Sequence, residues 1–126
     1  MSIPRILYLE DDEDDVFLLR RTLAKAGVIA EIAHVSTPAD FLAALDQAAP
    51  DLILADGKVA GFGAASALDL ACERFPHVPF YCLTGLVIEK RAVMMHAAGA
   101  AGSLSKQDLV AAAAAIQRAL ANRGHA

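Results

Sequence analysis

Five residues with side chains suited to phosphoryl chemistry each stand at the end of a short apolar run of the chain. Glu10 and Asp11 follow the first run, and Asp56, Thr84 and Lys106 follow three later ones. Carboxylates that share one site repel each other unless a cation lies among them. Mg²⁺ prefers oxygen ligands and often takes a phosphate as an additional one. We therefore predict a Mg²⁺ site made by Glu10, Asp11 and Asp56.

The central carboxylate of that site is the predicted nucleophile. Asp56 could attack a phosphoryl group and form an acyl phosphate. Mg²⁺ on one side and Lys106 on the other would balance the negative charge on the equatorial phosphoryl oxygens. Thr84 could donate a hydrogen bond to one of these oxygens, and its movement would signal to the rest of the domain that the site is occupied.

An alternation of short apolar runs and amphipathic stretches would bring these residues together. The apolar runs cover residues 6–9, 32–35, 52–55, 80–83 and 102–104, which is the pattern of parallel strands buried on both faces. Apolar residues recur with a helical period in five further stretches, of which the fourth contains Ile88, Ala92 and Met95. Connections this short predict an α/β fold, a three-layer (βα)5 sandwich around a five-stranded parallel sheet. In such sheets the site lies beyond the carboxyl ends of the strands.

Length and composition restrict the class of protein. A chain of 126 residues, 56% of them hydrophobic, fits one domain, which we place at residues 1–122, followed by a short tail at 123–126. No apolar run reaches the roughly 20 residues of a membrane-spanning helix. The N-terminus has no secretory pattern, so we expect a cytoplasmic protein without membrane contact. A formal charge of −4 argues against direct binding to nucleic acid.

The motifs around the five residues resemble the receiver domain of bacterial response regulators. The matching segments are ILYLED at 6–11, PDLILAD at 50–56, LTG at 83–85 and GAAGSLSK at 99–106, and the resemblance extends over nearly the whole chain. It implies the flavodoxin-like strand order 2-1-3-4-5 and a function in two-component phosphorelay signalling. It also implies a switch rather than an enzyme, apart from a slow autodephosphorylation.

The resemblance assigns a role to each site residue. By position in the motifs, Glu10 and Asp11 are the family's acidic pair and Asp56 is its phosphoacceptor. The backbone carbonyl of Lys58 is the further metal ligand. Thr84 is the family's hydroxyl residue and Lys106 is its lysine. A histidine kinase or a phosphotransfer protein would donate the phosphoryl group. The response would pass by contact to a downstream protein that the sequence does not identify, and self-association through the fourth and fifth predicted helices is one route for it.

Three positions depart from the family pattern. Ser103 stands where the family usually has a Tyr or Phe that moves with the hydroxyl residue, and Gln107 replaces the proline that usually follows the lysine. We expect a trans peptide before Gln107, because a cis bond to a residue other than proline costs about 2.5–4 kcal/mol. Lys58 is the third unusual residue. These departures leave open the alternative of a degenerate receiver, a protein-binding adaptor that works without phosphorylation.

The remaining acids and rings have simpler interpretations. Glu13, Asp14 and Asp15 fit the acidic first turn of a helix. Tyr8 fits packing, and none of the four histidines has metal-ligand spacing. An enzyme or cofactor binder on the same fold is disfavoured, because the chain has no glycine-rich phosphate loop of the P-loop or dinucleotide type.

Overall fold

One five-stranded parallel sheet forms the centre of the molecule in a computed structural model, which describes residues 3–56, 63–85, 96–97 and 99–122. The strands are β1 (Arg5–Leu9), β2 (Glu31–Val35), β3 (Leu52–Ala55), β4 (Phe80–Thr84) and β5 (Gly102–Ser105). Their order in the sheet is β2-β1-β3-β4-β5. The described helices are α1 (Glu13–Lys25), α2 (Pro38–Gln47), α3 (Gly63–Arg74) and α4 (Leu109–Ala121). The predicted fold class and strand order are confirmed.

Within the described residues, each face of the sheet packs against a different pair of helices. Successive strand residues point to opposite faces, so Ile6 and Leu54 pack with apolar residues of α1 and α4. Leu7 and Ile53 pack in a second cluster with residues of α2 and α3. All four side chains are fully or almost fully buried. Burial on both faces explains why the strands are nearly continuous apolar runs in the sequence.

Side-chain caps fix where the helices begin. The capping carboxylates and hydroxyl accept backbone N–H bonds from the first turn, and the capping residues are Asp12 for α1, Thr37 for α2 and Asp108 for α4. Helix α1 ends at Lys25, and the chain turns away from it at Gly27, whose φ of 76° is the left-handed conformation that glycine adopts without strain. The cap at Asp12 fixes the start of α1 directly after the carboxyl end of β1.

Part of the predicted chain lies outside the described residues. This applies to Lys58, to the fourth predicted helix at 88–95 and to the tail at 123–126, whereas residues 96–97 are helical. Helix α4 corresponds to the fifth predicted helix. Among the residues that the structure describes, no helix is both long and apolar enough to cross a membrane.

Candidate functional site

The three central site residues are held by backbone hydrogen bonds that extend the sheet one step beyond its strands. Each comes directly after a strand and donates its backbone N–H to a carbonyl at the end of a neighbouring strand. The bonds run from Glu10 to Val35 at 2.9 Å, from Asp56 to Leu9 at 2.9 Å and from Lys106 to Thr84 at 2.8 Å. The sheet therefore fixes the Cα positions from which these side chains project.

Alternation along the strands also places the three side chains on one side of the sheet. Glu10, Asp56 and Lys106 come two residues after Tyr8, Leu54 and Leu104, which belong to or pack against the cluster beneath α1 and α4. Residues two apart in a strand share a face. Strand periodicity therefore directs two carboxylates and an ammonium into the crevice next to the start of α1.

The ammonium of Lys106 contacts three carboxylates in this crevice. Its Nζ donates to Glu10 Oε2 at 2.7 Å, to Asp15 Oδ2 at 2.7 Å and to Asp56 Oδ2 at 3.2 Å. Glu10 is fully buried and Asp56 is 5% exposed. Ionised groups this deep in a protein need a partner of opposite charge, and Lys106 supplies it to both.

One ammonium does not balance the acids around it. Glu10, Asp11 and Asp56 each place a carboxylate oxygen within 4.8 Å of the others, and Asp15 reaches the same lysine. Four carboxylates against one ammonium give a formal excess of three negative charges. Carboxylate oxygens are the ligands that Mg²⁺ and Mn²⁺ prefer, and the exposed Asp11 leaves a path from solvent. The donor set therefore fits a hard divalent cation.

Without such a cation, burial and the closely spaced charges shift the pKa values of Glu10 and Lys106. Burial raises the pKa of Glu10 from its ordinary 4.5 to about 7; the hydrogen bond and charge of Lys106 oppose this shift and the charge of Asp56 adds to it. Burial alone would lower the pKa of Lys106, but hydrogen bonds to Asp15 and Glu10 outweigh it and raise that pKa above its ordinary value. Lys106 is therefore an ammonium at neutral pH, whereas Glu10 holds a proton mainly below about pH 7, and a bound cation would displace this proton.

Similarity to known proteins appears in structure and not in sequence. No protein-family model and no curated protein matches the chain. A crystal structure of a response regulator from Hahella chejuensis is 27% identical, with a TM-score of 0.82 and 98% of each chain covered. The chain has a response-regulator receiver fold.

Two further structures with the receiver fold are similar to this chain at lower identity. The phosphorylated cyanobacterial phytochrome response regulator RcpA is 19% identical, with a TM-score of 0.79 and 93% of each chain covered. The Mn(2+)-bound form of the response regulator Rcp1 is 20% identical, with a TM-score of 0.76, and covers 90% of this chain and 91% of its own. At these identities the likeness concerns the fold alone.

Of the other predicted site residues, Thr84 lies at the carboxyl edge of the sheet, and its role stays a prediction. Thr84 is half-buried at the end of β4, and Ser103 is half-buried on β5 beside Cys82. The Lys106–Gln107 peptide is trans, as expected. The carbonyl of Lys58 lies outside the described residues.

Two further side chains that contact the predicted site residues were assigned simpler roles in the sequence. Asp15, interpreted as an acid of the first helical turn, is an ion-pair partner of Lys106. Tyr8, interpreted as packing, is fully buried and also donates its hydroxyl to Glu10 Oε2 at 3.3 Å. A helical signal for Asp15 did exist, because it stands four residues before the buried Leu19 and so flanks the inner face of α1. Nothing in the spacing distinguishes Tyr8 from an ordinary core residue.

Proposed function

We propose that this protein is a phosphoacceptor of two-component signalling, a cytoplasmic receiver domain spanning residues 1–122 that acts as a switch and not as an enzyme. The observation that carries the proposal is the contact of Lys106 Nζ with Asp56 Oδ2 at 3.2 Å, beside a cluster of three carboxylates. An ammonium and a candidate cation site that both adjoin the nucleophile can stabilise the charge that develops in phosphoryl transfer.

The reaction forms one bond at phosphorus and breaks another. A carboxylate oxygen of Asp56 attacks the phosphorus atom, and the bond to the donor breaks with its electron pair leaving on the donor atom. Lys106 offsets the negative charge of the phosphoryl oxygens, and the Thr84 hydroxyl donates to one of them. Glu10, Asp11, Asp56 and the carbonyl of Lys58 would hold Mg²⁺, which would supply further positive charge against the phosphoryl group.

The proposed partners follow from this chemistry. A histidine kinase or a phosphotransfer protein donates the phosphoryl group, and the phosphorylated and free forms differ in affinity for a downstream protein. Self-association through α4 and the fourth predicted helix is one form of this output. The similar structures that are phosphorylated or Mn(2+)-bound support both the modification and the cation.

A second candidate function rests on Ser103. The receiver family usually has an aromatic residue at this half-buried position of β5, and a serine is too small to transmit the movement of Thr84 in the same way. A protein-binding adaptor that works without phosphorylation would tolerate this change. The acids and the lysine of the site would then have no phosphoryl group to bind, and the chain would not be modified.

Phosphorylation by a small donor separates these functions. We expect the protein to gain one phosphoryl group when it is incubated with Mg²⁺ and an acyl phosphate, and to gain none when a chelator removes the cation. Intact mass spectrometry gives the stoichiometry, and an adduct stable in acid but labile in base identifies an acyl phosphate. A protein whose mass stays unchanged at saturating Mg²⁺ would contradict the proposal and favour the adaptor.

A further inference from the structure

A histidine on the neighbouring strand contacts the backbone of the acidic pair. The ring Nε2 of His34 lies 2.7 Å from the carbonyl oxygen of Glu10. His34 is half-buried on β2, directly beside Tyr8 of β1 in the strand register. The two rings are tilted by 56° with their centroids 6.5 Å apart. Tyr8 donates to the Glu10 side chain at 3.3 Å, so Glu10 is held at its carboxylate by one ring and at its carbonyl by the other.

The acceptor decides which ring nitrogen of His34 carries hydrogen. A backbone carbonyl can only accept, so Nε2 must be the donor. In the neutral ring this leaves Nδ1 without hydrogen. The bond is therefore formed by one tautomer, which is a property that can be measured in the unmodified protein.

The histidine takes the place of a missing strand-to-strand bond. The Glu10 N–H donates to Val35 at the end of β2, and the chain then turns into α2, which begins at Pro38 with Thr37 as its cap. The next parallel ladder bond would have come to the Glu10 carbonyl from the residue two beyond Val35. That residue is Thr37, where the chain already leaves the sheet. His34 supplies the donor from its side chain.

The peptide that His34 holds joins two of the candidate metal ligands. The Glu10 carbonyl belongs to the planar unit between Glu10 and Asp11, so its orientation sets the direction in which Asp11 leaves the backbone. Glu10 Oε1 also accepts the Asp12 N–H at 3.1 Å, which fixes the following residue. The N–H of Glu10 and both of its carboxylate oxygens are also bonded, and the His34 bond additionally restricts rotation of the peptide between Glu10 and Asp11.

We propose that His34 is a positioning residue for the cation site: it holds the Glu10–Asp11 peptide so that both carboxylates stay close enough to Asp56 to share one divalent cation. This inference rests on the proposed Mg²⁺ site. Groups outside the ligand shell that fix ligand orientation typically change metal affinity 10–100-fold when they are removed. His34 acts from the outer strand β2 and is not itself a ligand.

Two substitutions separate the hydrogen bond from the ring. His34→Phe keeps an aromatic ring beside Tyr8 and removes the donor, whereas His34→Gln removes the ring and keeps an N–H donor at the same distance from the backbone. His96→Phe is the matched control, because His96 Nδ1 makes a similar bond to the Ala100 carbonyl at 3.0 Å. Ala100 precedes β5, so this bond lies at the opposite edge of the sheet from the site.

The test is the dissociation constant of Mg²⁺ measured by titration calorimetry on the unphosphorylated proteins. We expect about a tenfold or greater weakening in His34→Phe, with affinities close to wild type in His34→Gln and His96→Phe. Wild-type affinity in His34→Phe, or equal weakening in His34→Gln, would overturn the inference. If the wild-type protein itself does not bind Mg²⁺, both the proposed function and this inference are wrong. If the wild-type protein binds Mg²⁺ and His34→Phe binds it equally well, only this inference is wrong.

A second measurement uses the wild-type protein alone, so it does not require any variant to fold. Nitrogen chemical shifts of the histidine rings, recorded on the wild-type protein above pH 7, report the tautomer of each ring. We expect His34 to carry its hydrogen on Nε2. A ring with its hydrogen on Nδ1 could not donate to the Glu10 carbonyl and would overturn the inference, whatever the calorimetry gives.

Discussion

Replacing Asp56 with Asn is expected to abolish phosphorylation by a small phosphodonor in the presence of Mg²⁺. The amide is a poor nucleophile, and the substitution also removes one of the three carboxylates that meet within 4.8 Å. Intact mass spectrometry measures the loss. Asp40→Asn is the matched control, because Asp40 is exposed in the first turn of α2, and this variant should be modified as completely as the wild-type protein.

The stability of the same variant shows whether lost modification reflects lost folding. The charge of Asp56 contributes to the raised pKa of Glu10, so its removal relieves repulsion within a buried cluster. At pH 8 without Mg²⁺, we expect the urea concentration at the midpoint of unfolding to be at least as high for Asp56→Asn as for the wild-type protein. Undiminished modification of a folded Asp56→Asn protein would show that another carboxylate is the acceptor.

Replacing Lys106 with Met is expected to lower the free energy of unfolding by about 3 kcal/mol at pH 8 without Mg²⁺, which is the lower end of the cost of breaking a buried ion pair. Lys106 is the shared donor to Glu10, Asp15 and Asp56, and methionine removes this counter-charge from two buried carboxylates. Urea unfolding followed by circular dichroism measures this, because the chain has no tryptophan. Added Mg²⁺ should recover part of the loss by replacing the missing positive charge.

The effect of Lys106→Met should depend on pH with a definite sign. The pKa of Glu10 in the folded protein, about 7, lies above its ordinary 4.5, so the folded state binds the extra proton between these values. The stability that this proton gives is fully present below about pH 4.5 and is lost as the pH rises through 7. Without the lysine the loss becomes larger, so the gap between variant and wild type should widen from pH 5 to pH 8.

A lysine elsewhere provides the control for charge removal. Lys25 is exposed in the last turn of α1, where it interacts with the helix dipole. Lys25→Met should cost less than about 1 kcal/mol and should show no widening with pH. Equal stabilities of the Lys106→Met and wild-type proteins at pH 8 would contradict the description of Lys106 as the counter-charge of the buried acids.

Short-range patterns in the sequence were sufficient to predict the strands. They also predicted which edge of the sheet carries the candidate site. Five apolar runs were sufficient to locate β1 to β5 within one or two residues, since buried parallel strands exclude polar side chains over their whole length. Polar residues that follow such runs lie at the carboxyl edge by geometry alone. The meeting of Glu10, Asp11 and Asp56 follows from that rule and from the strand order.

The contacts around the acids could not be predicted because they depend on register and on helix rotation. His34 reaches the Glu10 carbonyl only because β2 pairs with β1 so that His34 lies beside Tyr8. A single sequence contains no signal for that register. Asp15 is a similar case, because an acid in a first helical turn has a sufficient local explanation, and only the rotation of α1 brings its carboxylate to Lys106.

The most direct measurement is the position of the phosphoryl group on the wild-type chain. Borohydride reduces an aspartyl phosphate to homoserine, so protein incubated with Mg²⁺ and an acyl phosphate, then reduced and digested, carries its modification site as a change of residue. Peptide mass spectrometry should find homoserine at position 56 and aspartate at positions 11 and 15. Homoserine at either of those positions, or unchanged Asp56 in the fully treated protein, would contradict the assignment of Asp56 as the phosphoacceptor.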